Sequence, residues 1–533
     1  MTAIDRTAAM TALPRAFHAY LGRFARLTPI QARAIPVVLA GGDCVLVAPA
    51  ASGKTEAALA PLCERLLRDP APSGVGLVYV VPTRALANDT EARVRGPAGA
   101  LGLIATVRTG DRPAALAARG TDLLITTPES LDSMLCRQSD VFAHVRSVVV
   151  DEAHQVDGTL RGDQLRVLLR RLAGWHAKPR PQMVAMTATV ADPEAMGVRL
   201  LGREVPVVRA ASDRPVQVSW AEDPVDAARA IRAAGLTKAI FFCNSRRRTE
   251  QVAALLSGGG PWPRERVMVH HGSLSRKERE EVESAFRRFE AGLLVSTNTM
   301  ELGVDIGDVD AVALVGAPDS LASFYQRVGR GCRRRAGMRA WCVPDDEKDA
   351  ARFRDIVAAL EQGEMPAVDH APDLSVIVQQ VFSVLYGMRR PMARRWLVEL
   401  LKVLADPPVV EQILDHLVVE GWLAPAPRGA LVASTALMDM GERGRIHSNI
   451  ADSRTVKVVD DDTGRVLGHV SAAAIDRGRV ALAGREWEVA GSARGTMRLS
   501  ARSAGGSGEA PLFAPRLDVG AFARYLPESL RDR

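Results

Sequence analysis

Short apolar runs recur along the N-terminal part of the chain, at Gly76–Val81, Asp122–Thr126, Ser147–Val150 and Gln182–Met186, and between them the hydrophobic period is that of helices. Runs this short and this uniformly apolar read as strands covered on both faces, and strands alternating with helices build a parallel, doubly wound sheet. The fold class is therefore α/β. Ligands of such sheets lie beyond the carboxyl ends of the strands. There each run ends in polar residues: Pro82-Thr83-Arg84, Thr126-Thr127-Pro128-Glu129 and Thr187-Ala188-Thr189. Singly these are helix caps. Jointly they outline a surface of hydroxyls and an arginine that can hold a phosphate backbone without reading bases. The run Val148-Val149-Val150 ends in Asp151-Glu152-Ala153-His154. Asp151 is placed to hold a magnesium ion through water, and Glu152 to take a proton from a water attacking a γ-phosphate.

Upstream, Leu27-Thr28-Pro29-Ile30-Gln31 leads into a helical pattern, and Asp43–Val47 reads as a strand. The stretch Ala48-Pro49-Ala50-Ala51-Ser52-Gly53-Lys54-Thr55 follows, a phosphate loop with alanine at its first glycine position, and a helix pattern starts directly after it. Strand, loop and helix in that order let backbone N–H groups and the helix N-terminus cradle phosphates. Lys54 would then sit on the β/γ oxygens and Thr55 on the metal.

Pro206 and Pro215 mark an expected linker, after which Ala239–Cys243, Arg266–Val269, Gly292–Ser296, Ala311–Val315 and Arg339–Val343 repeat the strand pattern without a phosphate loop. This second block carries six arginines and no acid between Gln326 and Arg339. Such a stretch is either a basic face or a source of arginine fingers, Arg330 and Arg333, for the γ-phosphate.

At 533 residues the chain is long enough for three or four domains. With 47% hydrophobic and 25% charged residues it has the composition of an ordinary globular protein. A net charge of +7 favours a polyanionic partner. The six cysteines lack CxxC spacing, which argues against zinc, iron–sulfur clusters or a disulfide framework. With neither a basic leader nor an apolar run of membrane-spanning length, a cytoplasmic location is expected.

In order, Gln31, Gly53-Lys54-Thr55, Pro82-Thr83-Arg84, Thr127-Pro128, Asp151–His154, Thr187-Ala188-Thr189, Asn244-Ser245-Arg246, Glu301–Asp305 and Gln326–Arg333 resemble the motif set of superfamily 2 DEAD/DEAH-type helicases. Within that superfamily, Gly158–Gly162, His270–Ser275 and Met300–Asp310 are similar to the large helicase-related (Lhr) family. Two positions depart from the pattern: Ala51, where a glycine is usual, and Cys332, between the finger arginines.

The resemblance implies two tandem RecA-like domains, 1–207 and 208–367, that use ATP and Mg2+ to move along one strand, 3′ to 5′. Unwinding of DNA or RNA:DNA duplexes, in DNA repair, is the implied task. Gln31 would contact adenine; Ser52, Gly53, Lys54 and Thr55 the phosphates; Thr55 and Asp151 the metal; and Glu152 the attacking water. Gly303 and Asp305 would lie near the ribose, with Arg330 and Arg333 as fingers. His154, Thr187, Thr189 and Gln326 would couple hydrolysis to strand contacts made by Arg84, Thr127, Ser245, Arg246, Ser273 and Thr297. An ATP-gated clamp that grips a strand without processive unwinding is the rival reading.

Beyond Pro366 the helical patterns Asp373–Tyr386, Ala393–Leu404 and Pro408–Glu420, with a hairpin from Leu423, suggest a winged-helix domain over 368–445. In related helicases such a domain braces the strand channel. A small β domain and tail are expected over 446–533, with Trp487 in its core and Ser503–Gly508 as a flexible link.

Overall fold

The computed structural model describes residues 3–531 apart from 50–51, 111, 113–119, 189, 211–215, 301–305, 332–336, 363–369, 451–454, 472–478, 483–484, 494–495 and 502–519. The chain folds into two compact units. One is Met1–Ser212 with Ala367–Ala451 and Leu517–Arg533; the other is Asp213–Pro366 with Asp452–Arg516.

The first unit is built on a parallel seven-stranded sheet in the order Ala105–Arg108, Leu123–Thr126, Leu77–Val80, Ser147–Val150, Gln182–Thr187, Cys44–Val47, Val207–Arg209. Successive side chains alternate between faces. Leu46 and Tyr79 join one core, while Val45, Val47, Val78 and Val80 join the other, so both faces are covered as the apolar runs require. The stretch expected as a linker does more than connect. Val207–Arg209 is an edge strand of this sheet, and Val216–Trp220 is an edge strand of the second one. Each pairs on one side only, so neither needs the continuous apolar run that marks a central strand.

Helix Ser375–Met388 is buried on all sides from Ser375 to Tyr386. It shares a core with Val167, which lies on helix Leu160–Arg171. Helices Arg394–Leu401 and Pro407–Val419 follow, with a three-stranded antiparallel sheet of Met392–Ala393, Ala430–Ala433 and Leu423–Ala426. These match the helices and hairpin expected from the sequence. The C-terminal tail, grouped by the sequence with the small β domain through a flexible link, is instead folded onto this same core: Phe522, Leu526 and Leu530 are buried there, and Tyr525 meets Trp422 edge-on at 4.9 Å. The link itself, Ser503–Gly508, lies outside the described residues.

The second unit holds a parallel six-stranded sheet in the order Val267–His270, Gly292–Ser296, Lys238–Cys243, Ala311–Val315, Met338–Val343, Val216–Trp220. On one face of it packs a five-stranded sheet formed by Thr455–Asp460, Val466–Ser471, Arg479–Leu482, Arg485–Ala493 and Thr496–Ala501. Trp487 is a core residue, buried and donating from Nε1 to the Leu482 carbonyl at 2.8 Å.

Candidate functional site

Thr28 caps helix Pro29–Leu39 in a reciprocal capping box: its hydroxyl accepts from the Gln31 N–H and its own N–H donates to Gln31 Oε1 at 3.0 Å. The cap thereby aims Gln31 Nε2 at the Gly53 carbonyl, 3.5 Å away. Gly53 turns with φ +87°, a backbone that favours glycine, and a Cβ there would lie 2.4 Å from Gln31 Nε2 and push that amide aside. Lys54 opens helix Lys54–Arg68 and its Nζ is held inside the loop by the Ala48 and Pro49 carbonyls, at 2.6 and 3.0 Å. Lys54→Ala should weaken ATP binding roughly tenfold to a hundredfold, the share of one charge-assisted contact. Titration of a fluorescent ATP analogue measures it, and an unchanged affinity would mean that the phosphates bind elsewhere.

Asp151 continues its strand by donating its N–H to the Val80 carbonyl at 2.9 Å, and its carboxylate faces the neighbouring strand's Tyr79, whose hydroxyl donates to Oδ2 at 2.6 Å. Thr55 meets the same tyrosine hydroxyl, and Arg93 donates to Thr55 at 3.1 Å. Burial, then the adjacent Glu152 carboxylate, pushes the Asp151 carboxyl up to about 6, against the pull of Tyr79, Lys54 and Arg93. A buried carboxylate, joined through one tyrosine to a threonine hydroxyl, is a set of hard oxygen donors that suits magnesium. Tyr79 and Arg93 were not foreseen. Tyr79 looks like any apolar strand residue, and its partner lies 72 positions away.

Glu152 has φ +46°, a left-handed backbone that is uncommon outside glycine and recurs at functional sites. Its Oε2 is 3.7 Å from His154 Nδ1, which in turn lies 3.0 Å from Thr187 Oγ1. The expected coupling pair therefore touches, and it reaches the carboxylate. Thr189 lies outside the described residues, as do Gly303, Asp305 and Arg333.

At the same sheet edge, Arg84 and Thr127 line a cleft of about 600 Å³ with Arg108, Arg137, Arg161, His447 and Ser448 among its walls. Arg161 fixes its rim, donating to both Glu129 carboxylate oxygens and to the Pro82 carbonyl. Thr83 is a helix cap, accepting from the Leu86 N–H at 3.2 Å, whereas Thr127 makes no capping bond and turns to Ser130.

In the second unit, Ser245 caps helix Arg246–Gly259, and Arg246 donates to Ser273 Oγ at 2.9 Å. Thr297 follows strand Gly292–Ser296 and donates its N–H to the His270 carbonyl at 3.2 Å, so these four residues share one sheet end. Ser273 and Thr297 are each 6% exposed, so they offer a strand little more than an edge. His271 pairs with the fully buried Glu250 at 2.9 Å and fixes the loop. The small β sheet fixes it from the other side: His469 donates its N–H to the Ser273 carbonyl and Leu467 accepts from the Ser275 N–H, both at 2.8 Å. Gln326 and Arg330 are buried within this unit at 7% and 6% exposure. Burial pushes the Cys44, Cys63, Cys243 and Cys342 thiols up to about 12, as inert core residues.

A family model described as DEAD/DEAH box helicase matches residues 28–196, and one described as helicase conserved C-terminal domain matches 226–335. The Lhr helicase/probable uracil glycosylase of Mycolicibacterium smegmatis is 34% identical over 378 residues, 58% of this chain and 25% of that protein. The chain belongs to the Lhr-like superfamily 2 helicases. The ATP-dependent helicase Lhr-Core of Methanothermobacter thermautotrophicus is 28% identical over 410 residues, 68% of this Lhr-like chain and 47% of that relative. Among solved structures, the Mycobacterium smegmatis helicase Lhr bound to ssDNA and AMP-PNP superposes with a TM-score of 0.72 at 28% identity, covering 84% of this chain and 63% of that one. The likeness takes in both RecA-like sheets. The chain thus spans less than two thirds of each of these three relatives.

Proposed function

We propose that this chain is an ATP-dependent helicase that translocates along one nucleic-acid strand, 3′ to 5′, and opens DNA or RNA:DNA duplexes, in the cytoplasm and in the service of DNA repair. The observation that carries the reading is the continuity within the first unit from Lys54 and Asp151, through Glu152, His154 and Thr187, at the same sheet edge as the arginine-lined cleft of Arg84 and Thr127. Magnesium, held by Thr55 and Asp151, would supply charge to the phosphates. Gln31 seats the base, Lys54 holds the β/γ phosphates, and Glu152 accepts the proton of the attacking water. His154 and Thr187 report that change to the strand side. Arg330, Arg333, Gly303 and Asp305 are assigned to the nucleotide, and Gln326 to the coupling set, by the likeness of their motifs.

Strand contacts are assigned to Arg84, Thr127, Ser245, Arg246, Ser273 and Thr297, all directed at phosphates. Affinity should therefore fall steeply with salt, by roughly tenfold or more between 50 and 200 mM, and depend little on sequence. Anisotropy titrations on strands of different composition check this; strong base dependence at fixed salt contradicts it. The helices and hairpin over 368–445 we assign to a winged helix that braces the strand.

The deciding experiment is displacement of a labelled strand from DNA, RNA and hybrid duplexes with 3′ or 5′ tails. ATP-driven displacement from 3′ tails supports the helicase. Binding that tightens with a nonhydrolysable analogue and never displaces a strand identifies a clamp instead.

A further inference from the structure

Strand Val466–Ser471 lies at the edge of the small five-stranded sheet, paired on one side with Thr455–Asp460. An open strand edge invites a partner, and here the loop after strand Val267–His270 takes that place. His469 donates its N–H to the Ser273 carbonyl and Ser275 donates its N–H to the Leu467 carbonyl, so Leu274 and Gly468 face each other as an antiparallel bridge. The two backbones meet too closely for a side chain at this point. A Cβ on Gly468 would lie 2.1 Å from the Ser273 carbonyl oxygen and 3.1 Å from the Leu274 Cα, main-chain atoms that cannot swing aside.

The same sheet holds two helices beside the loop. Val252, Ala253 and Leu256 of helix Arg246–Gly259 share a core with Val456, Leu467 and Trp487 of the sheet. Arg465, just ahead of Val466, pairs with Glu278 and Glu281 of helix Arg276–Arg288. From within the parallel-sheet domain the loop is held at its start, where the Ser273 N–H donates to His271 Nδ1 at 3.3 Å and His271 meets the buried Glu250. The small sheet supplies the hold at its end.

We propose that the small β sheet is a positioning element for the nucleic-acid strand: by taking Ser273–Ser275 as its outermost strand, it fixes the Ser273 hydroxyl, and with it the Arg246 guanidinium, where the two receive a phosphate. The inference rests on the assignment of Ser245, Arg246 and Ser273 to strand contacts and gives the sheet's part in them. A loop hydroxyl that has to be ordered on binding costs affinity, whereas one already held in a backbone seam does not. The 2.9 Å bond from Arg246 to Ser273 Oγ is the link through which the seam reaches the helix end. Gly468 is then a positioning residue that acts through Ser273.

The test uses the full chain and a short mixed-sequence single-stranded DNA at fixed salt. Gly468→Ala forces the seam apart, and strand affinity should fall about tenfold, the share of one charge-assisted contact. The strand concentration that half-saturates the ATPase should rise by the same factor, while the maximal stimulated rate, the basal rate and the affinity for a fluorescent ATP analogue stay within about twofold of wild type. In a chain already carrying Arg246→Ala and Ser273→Ala, adding Gly468→Ala should cost less than about twofold, because the contacts it displaces are gone. Arg465→Glu, a change outside the core that sets like charges against Glu278 and Glu281, should loosen the seam in the same direction with the same non-additivity, and it carries the test if Gly468→Ala does not fold. A folded Gly468→Ala chain, or in its place Arg465→Glu, that binds the strand as wild type does overturns the proposal. So does an equal loss in the Arg246→Ala and Ser273→Ala background, since the sheet would then act on the fold and not through those contacts. If Arg246→Ala with Ser273→Ala leaves strand affinity unchanged, the assignment of those two residues fails and the inference with it, and failure of the wild-type chain to bind any strand overturns the strand reading as a whole.

Discussion

Changing Glu152 to glutamine is expected to slow ATP hydrolysis by roughly 10²–10⁴-fold while nucleotide and strand affinities stay within a few-fold of wild type. The amide keeps the size of the side chain and the left-handed backbone at φ +46° that aims it, and it removes the carboxylate proposed to accept the proton. Binding survives because Lys54, Gly53 and Gln31 hold their places through contacts that do not involve Glu152. The 3.7 Å approach of Glu152 to His154 predicts a further effect: in the variant, strand stimulation of the residual ATPase should shrink, since one member of the coupling chain has lost its charge. Steady-state ATPase with and without strand, beside nucleotide and strand titrations, separates these effects. Turnover near wild type would remove Glu152 from the chemistry.

The second large effect is expected far from the nucleotide. Asp132→Ala should cost the first unit about 3–5 kcal/mol, because it leaves the Arg171 guanidinium buried and unpaired. Arg171 and Asp132 are 3% and 0% exposed, and the carboxylate also receives Gln164, Gln379, Gln380 and Ser383. One acid therefore ties helix Pro128–Arg137 to helices Leu160–Arg171 and Ser375–Met388. Asp132→Asn, which keeps the acceptor oxygen and loses the charge, should fall between wild type and alanine. Denaturant midpoints measure both, and an unchanged midpoint for Asp132→Ala would show that the network contributes nothing. By the same reasoning, removing 370–450 takes away Gln379, Gln380 and Ser383 and uncovers the core around Val167. The segment Ala367–Ala451 is part of the first unit rather than an appendage to it.

Features written in consecutive residues were legible from the chain alone. The central strands are four- to six-residue apolar runs, and their observed bounds, such as Ser147–Val150 and Gly292–Ser296, match those runs. The phosphate loop is a local turn whose φ +87° glycine opens a helix, so its residues carry their own geometry. The edge strands Ala105–Arg108 and Val207–Arg209 escaped notice because one-sided pairing demands less apolar surface.

The sequence by itself determined the α/β class, the order of the motifs and the position of Lys54, Asp151 and Glu152 just beyond apolar strands, because strand hydrophobicity and turn chemistry act over a handful of neighbouring residues. Only the tertiary structure decided that Tyr79 orients Asp151 across 72 residues, that Asp132 meets Ser383 across 251, and that the small β sheet grips the Ser273 loop. Those side chains belong to ordinary types at ordinary positions. Their roles arise when burial removes water and leaves each polar group to find its partner among whatever the topology has brought within 3 Å.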